Sequence, residues 1–281
     1  MSQNRKCDPF CYLAAILFFG SGVIRSVLFD QPLSSAPFNF DDWTDMDGYY
    51  VKGQWTGQRS LILDLWATYS TMHVLGWIVV ATVLFRFAWI QSANGTTKIG
   101  VNGTIAFVGA MAAIVELVVR MLFHGSAHAQ HWMANSFTLD KWYALQDMTT
   151  GEVDRIGWKT LEVVSIASTG FLLWADTIEY MAMVVILVLI HNSTTVAGSV
   201  FSKKWAFFGV LIACLNVVDI AAEVLRFQHW KLFSEVAVYI SSANQIIIFP
   251  IWLIWMGIQL AAVPKMNQSV EAPEDLVLDH E

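Results

Sequence analysis

Six apolar segments, each long enough to cross a bilayer, constrain this 281-residue chain more than any other feature. A spanning helix needs about 20 mostly apolar residues. The segments run Phe10–Phe29, Leu61–Phe87, Ile99–Phe123, Leu161–Ile190, Trp205–Phe227 and Leu232–Val263. The second and sixth are the clearest, with charge-free runs from Leu65 to Phe85 and from Val236 to Val263. Lipid cannot satisfy open backbone groups, and these segments lack the alternation of barrel strands. The expected fold is therefore all-α: a polytopic membrane bundle of about six transmembrane helices.

Composition agrees. The chain is 56% hydrophobic and only 14% charged, against about 25% charged in an ordinary soluble domain. That excludes a disordered chain, a basic nucleic-acid-binding protein and nearly every soluble fold. Cys7, Cys11 and Cys214 are too few and too scattered for a disulfide scaffold. One transmembrane domain is expected over 1–263, followed by an acidic, disordered tail over 264–281. Arg5 and Lys6 before the first apolar stretch resemble a signal peptide. The stretch has no small-residue cleavage site and runs into Arg25, which favours a retained span.

Six spans place both termini on one side of the membrane, together with the short connections near Asn94 and Asn192. Lysines and arginines outside the spans divide six against six between the two sides. The basic residues of the termini side sit in shorter segments, which tilts the expectation to cytoplasmic termini. Four N-x-S/T sequons, at Asn94, Asn102, Asn192 and Asn267, all fall on that side. They are chance sequons if that side is cytosolic and glycan acceptors if it is lumenal.

A short pattern recurs in the even-numbered spans. It reads Asp64 then Ser70-Thr71, Glu162 then Ser168-Thr169, and Glu235 then Ser241-Ser242. Each odd span carries an arginine near its far end: Arg25, Arg120 and Arg226. Three two-helix repeats over 10–91, 99–191 and 205–263 would explain both marks. On that reading Arg25–Asp64, Arg120–Glu162 and Arg226–Glu235 form structural ion pairs, because an unpaired charge at such depth is costly.

Ionisable residues inside spans point to function by default. His73 lies in the second span, and Glu116 and Arg120 lie four apart in the third. Asp176 and Glu179 are three apart in the fourth, and Asp219 and Glu223 are four apart in the fifth. Spacings of three and four put each pair on one helix face. Asn244, Gln245 and Pro250 mark the sixth span, where Pro250 frees a carbonyl near residue 246. Five deep carboxylates outnumber the one deep arginine, Arg120. Protonation, water or a cation must make up the difference. A hydrated cavity lined this way would pass protons or cations. The same carboxylates with His73 could hold a metal ion.

A second metal candidate is the triplet His124, His128 and His131, which shares one face if the third helix continues past the span. His229 could add a fourth ligand. Three functions remain open. The first is a proton or cation channel or transporter built on the deep carboxylates. The second is a non-catalytic subunit of a larger membrane complex or homo-oligomer. The third is a metalloenzyme using the His cluster. Apart from the bilayer, the expected partners are a proton or cation, or membrane subunits. No phosphate-binding loop, nucleophile triad or CxxC motif supports soluble-type chemistry.

Overall fold

The computed structural model describes residues 7–29, 59–93, 99–136, 150–197, 199–225 and 239–263. Among these the secondary structure is helical throughout, with no strand. Six helices follow one another: α1 (Pro9–Phe29), α2 (Arg59–Ala93), α3 (Ile99–Ser136), α4 (Thr150–Thr194), α5 (Lys203–Leu225) and α6 (Tyr239–Ala262). Each is long and apolar enough to cross a membrane. The outer surface is apolar, with Phe10, Phe19, Trp89, Phe107, Phe171 and Phe207 about half exposed or more. Asp8, Arg25, Glu116, Arg120, Asp176, Glu179, Asp219 and Glu223 are buried instead. Apolar outside and polar within is the arrangement of an integral multi-pass membrane protein.

Each helix packs on its neighbour in sequence, and α6 returns to pack on α1, so the six close a ring. Asp8 closes it at one end. Its backbone N–H donates to the Gly257 carbonyl of α6 at 3.0 Å, and its side chain caps α1 by accepting from Phe10 N–H at 3.0 Å. The same carboxylate is ion-paired with Arg86 of α2. The close approach depends on Gly257, where a Cβ would run into Cys7 Sγ and Cys11 Cβ.

This end of the ring also holds the end of α2 and the junction of α4 with α5. Gln91 donates to Ser199 at 3.0 Å, and Ser193 donates to Asn102 at 2.7 Å. The start of α1 and the end of α6 thus lie at the same end of the bundle as the end of α2, the start of α3 and the junction of α4 with α5. Asn102 was one of the four sequons. It is fully buried, and its amide nitrogen donates to Ser92 at 3.1 Å. Buried and bonded at both ends, it has no room for a glycan. Asn192 is exposed, and Asn94 and Asn267 lie outside the described residues.

The buried face of every helix changes character at one level. From the Asp8 end inward it is apolar: Phe18 in α1, Phe87 and Trp77 in α2, Leu187 in α4, Trp205 in α5, Trp252 and Phe249 in α6. The rings pack closely, Phe18 edge-on to Phe249 at 4.9 Å and Trp205 stacked on Trp252 at 4.9 Å. Beyond that level the same faces are polar: Arg25, His73 and Tyr69, Glu116 and Arg120, Asp176 and Glu179, Asp219 and Glu223, Asn244 and Gln245. Helical spacing carries the switch, because residues three or four apart stay on the inward face.

In α6 the switch coincides with a π-helical turn at Asn244–Ile248, where Phe249 N–H donates to the Asn244 carbonyl. Pro250 follows at once. It has no N–H and crowds the carbonyl four residues earlier, and the wider turn absorbs that conflict. The tail 264–281, Arg226, His229 and Glu235 lie outside the described residues.

Replacing Gly257 by Val is expected to cost about 1–3 kcal/mol through overpacking of α1 on α6. A lowered midpoint of thermal unfolding in detergent checks it. Gly103→Ala, where a Cβ meets nothing within 4 Å, serves as the unaffected control. Asn102→Gln is expected to leave the glycosidase-sensitive mobility of the protein unchanged in a glycosylating host.

Candidate functional site

The polar half of the interior is organised around Asp176 of α4. Arg25 of α1 donates to its Oδ2 at 3.2 Å, and Arg120 of α3 donates to its Oδ1 at 2.8 Å. One carboxylate therefore links three helices. Arg25 also donates to the Tyr180 hydroxyl at 3.2 Å. Arg120 lies over the ring of Tyr69 of α2, 4.8 Å from its centroid, and donates to its hydroxyl oxygen at 3.3 Å. Its Nε donates to Glu116 one turn earlier at 2.5 Å. Burial of a guanidinium in this setting is tolerable only because donors find acceptors on several helices.

These pairings correct one of the three expected ion pairs, Arg25–Asp64. Arg25 takes Asp176, 151 positions away, in place of Asp64. Asp64 is exposed on α2, where water solvates it, whereas Arg25 is 3% exposed and must be satisfied inside. Arg25 thus joins Arg120 as a second deep arginine. Arg120 has Glu116 and Asp176 as partners. The side chain of Glu162 lies outside the described residues, as do Arg226 and Glu235.

Next to this network sits a triad of His73, Glu116 and Glu179. His73 Nε2 is 3.0 Å from Glu179 Oε2 and 3.7 Å from Glu116 Oε1. One ligand-type atom from each of the three lies within 4.8 Å of the others. Glu116 Oε2 and Glu179 Oε1 are buried without a partner at hydrogen-bond geometry among the described residues. The triad joins α2, α3 and α4.

A cavity of about 30 Å³ lies beside it, at the boundary between the apolar and polar halves. His73 and Glu179 line one side, Asn216, Asn244 and Gln245 the other, and Phe18, Trp77 and Phe249 its apolar floor. That volume accepts a water molecule or a bare ion. Asn244 donates to Asn216 Oδ1 at 2.7 Å across α6 and α5. Three residues along α5 from Asn216, Asp219 is fully buried, within electrostatic reach of Arg25, Glu223 and Tyr180. Neither of its carboxylate oxygens has a partner at hydrogen-bond geometry among the described residues.

All seven expected interior residues, His73, Glu116, Arg120, Asp176, Glu179, Asp219 and Glu223, are buried in the polar half. Sequence reasoning missed the hydroxyls of Tyr69 and Tyr180, which serve the arginines. Their signal was position: each lies three or four residues from a deep polar residue, on the same face. The His triplet sits on α3, which does continue past the span as far as Ser136. His124 is half-buried, with its ring 5.4 Å from that of Phe123. The side chains of His128 and His131 lie outside the described residues.

A scan of protein-family models and searches of curated proteins and of solved structures find no match to this chain.

Removing the shared carboxylate tests the role of Asp176. Asp176→Ala is expected to cost about 3–5 kcal/mol, since it leaves two buried guanidinium groups short of a counter-charge. Asp64→Ala should stay within about 0.5 kcal/mol, as an exposed site does. Thermal unfolding of both variants in detergent measures the contrast.

Proposed function

We propose that the protein is a proton or cation transporter that works through the carboxylates of its polar interior. The observation that carries this reading is the charge balance of that half. Among the described residues, Glu116, Asp176, Glu179, Asp219 and Glu223 are buried in that half together with two arginines, Arg25 and Arg120. Counted over the described residues and fully ionised, five carboxylates against two guanidinium groups leave an excess of three negative charges. An uncompensated buried ion costs several kcal/mol. Protons or cations entering the interior remove that cost, and their exchange is the elementary event of transport.

Three features support a carrier over an open pore. The cavity of about 30 Å³ is too small for a file of hydrated ions. Below it, Phe18, Trp77 and Phe249 form an apolar floor toward the Asp8 end. The π turn and Pro250 place an interruption in α6 at the same level, where a helix can bend. In this reading Glu179, Glu116 and Asp219 exchange the proton or cation, and His73 hydrogen-bonds Glu179. Asp176 stays locked between the arginines and holds the frame.

The competing reading, a non-catalytic subunit of a larger membrane complex, draws on the internal partners that both deep arginines have. Flux separates the two. In proteoliposomes carrying an internal pH indicator and a cation gradient, the wild type should dissipate the gradient. Glu179→Gln and Asp219→Asn should each slow it on the order of tenfold or more, the factor given by about 1.4 kcal/mol of lost site energy. Asp64→Asn should leave the rate unchanged. Equal rates in the wild type, Glu179→Gln and Asp219→Asn would count decisively against transport through these groups. A wild type with no flux at all would favour the subunit reading.

A further inference from the structure

We propose that His73, Glu116 and Glu179 bind one divalent first-row transition ion of the zinc class, and that this ion is the cation the interior handles. The proposal names the cation for the transport reading and rests on it for its use, though binding is measurable by itself. Zinc binds imidazole nitrogen and carboxylate oxygen at about 2.0–2.2 Å, which sets tetrahedral ligand–ligand separations near 3.3–3.6 Å. His73 Nε2 stands 3.0 Å from Glu179 Oε2 and 3.7 Å from Glu116 Oε1, on either side of that range. Three helices supply one ligand each, so the site comes with the fold and needs no loop to close.

The second observation lies in the free oxygens. Glu116 Oε2 and Glu179 Oε1 are buried without a partner at hydrogen-bond geometry among the described residues. Each carboxylate thus has coordinating capacity left over beside a cavity that could seat a water as the fourth ligand. Arg120 shares Glu116, but it also holds Asp176 and Tyr69. It can release Glu116 to a metal without becoming unpaired. That competition weakens binding, as a carrier requires, since a cation held too tightly does not leave. The imidazole ligand argues against magnesium and calcium, which prefer all-oxygen shells.

The test uses tag-free protein in detergent, stripped with chelator, reloaded with Zn²⁺ and dialysed before elemental analysis. His124→Ala, His128→Ala and His131→Ala are combined as the background, so that the α3 triplet cannot contribute. On the order of one Zn²⁺ per chain is expected to remain in that background. Glu179→Gln should remove it, and Glu116→Gln should weaken it at least tenfold. In the unsubstituted protein, Zn²⁺ but not Mg²⁺ should raise the unfolding midpoint, a readout independent of whether any variant folds. Zinc that leaves with the triplet, or that survives both Glu179→Gln and His73→Gln, overturns the site. Absent zinc with a persisting proton flux that Glu179→Gln slows overturns the metal and leaves the transport reading standing. Bound zinc in a protein that moves no cation supports the site and overturns its use in transport.

Discussion

Asp176 holds the interior together by sharing one carboxylate between two buried guanidinium groups, Arg25 on α1 and Arg120 on α3. In a low-dielectric setting neither arginine is tolerable alone, and neither can reach water without leaving the bundle. Their mutual dependence on Asp176 sets where α1 and α3 stand relative to α4. Tyr69 and Tyr180 each accept one further donor, from Arg120 and Arg25 respectively. Once those charges are satisfied, Glu179 and Asp219 are left with no arginine partner among the described residues.

The division of the interior follows from the same constraint. Charged groups gather at one level because each needs the others. Below that level aromatic rings fill the space between α1, α2, α5 and α6. At the far end polarity returns as neutral amides and hydroxyls, Gln91, Asn102 and Ser193, which satisfy one another without charge. The Asp8–Arg86 pair there fastens the ring shut. The cavity lies where the apolar and charged layers meet, bordered by the irregular turn of α6. An exchangeable proton or cation at that boundary would feel the negative surplus from one side and the aromatic floor from the other.

Much of this was legible in the letters. Spacings of three and four placed Glu116 with Arg120, Asp176 with Glu179 and Asp219 with Glu223 on shared faces, and all six are buried. Pro250 announced a disturbed helix, and a π turn precedes it. Tertiary pairing was not legible. The internal repeat suggested Arg25 with Asp64 because the two fall at similar depth in neighbouring helices. Depth along the chain says nothing about which way a side chain turns. Arg25 turns inward, where Asp176 waits on a helix across the ring, while Asp64 turns out. The proximity of His73 to Glu116 and Glu179 was likewise invisible, since it depends on how three helices rotate about their axes. The sequence offered two metal candidates, the triplet along one helix and His73 with the deep carboxylates, and the structure shows which carboxylates join His73: Glu116 and Glu179, each from a different helix.

The proposed exchange of protons or cations depends on buried carboxylates that outnumber the buried arginines among the described residues. Infrared difference spectroscopy across a pH step, on protein in liposomes with both faces accessible, observes buried carboxyl groups directly. Carbonyl bands of protonated carboxyl groups are expected to change with pH and to lose a component in Glu179→Gln or Asp219→Asn. A folded protein whose interior carboxylates give no such band, and no change on substitution, would contradict it.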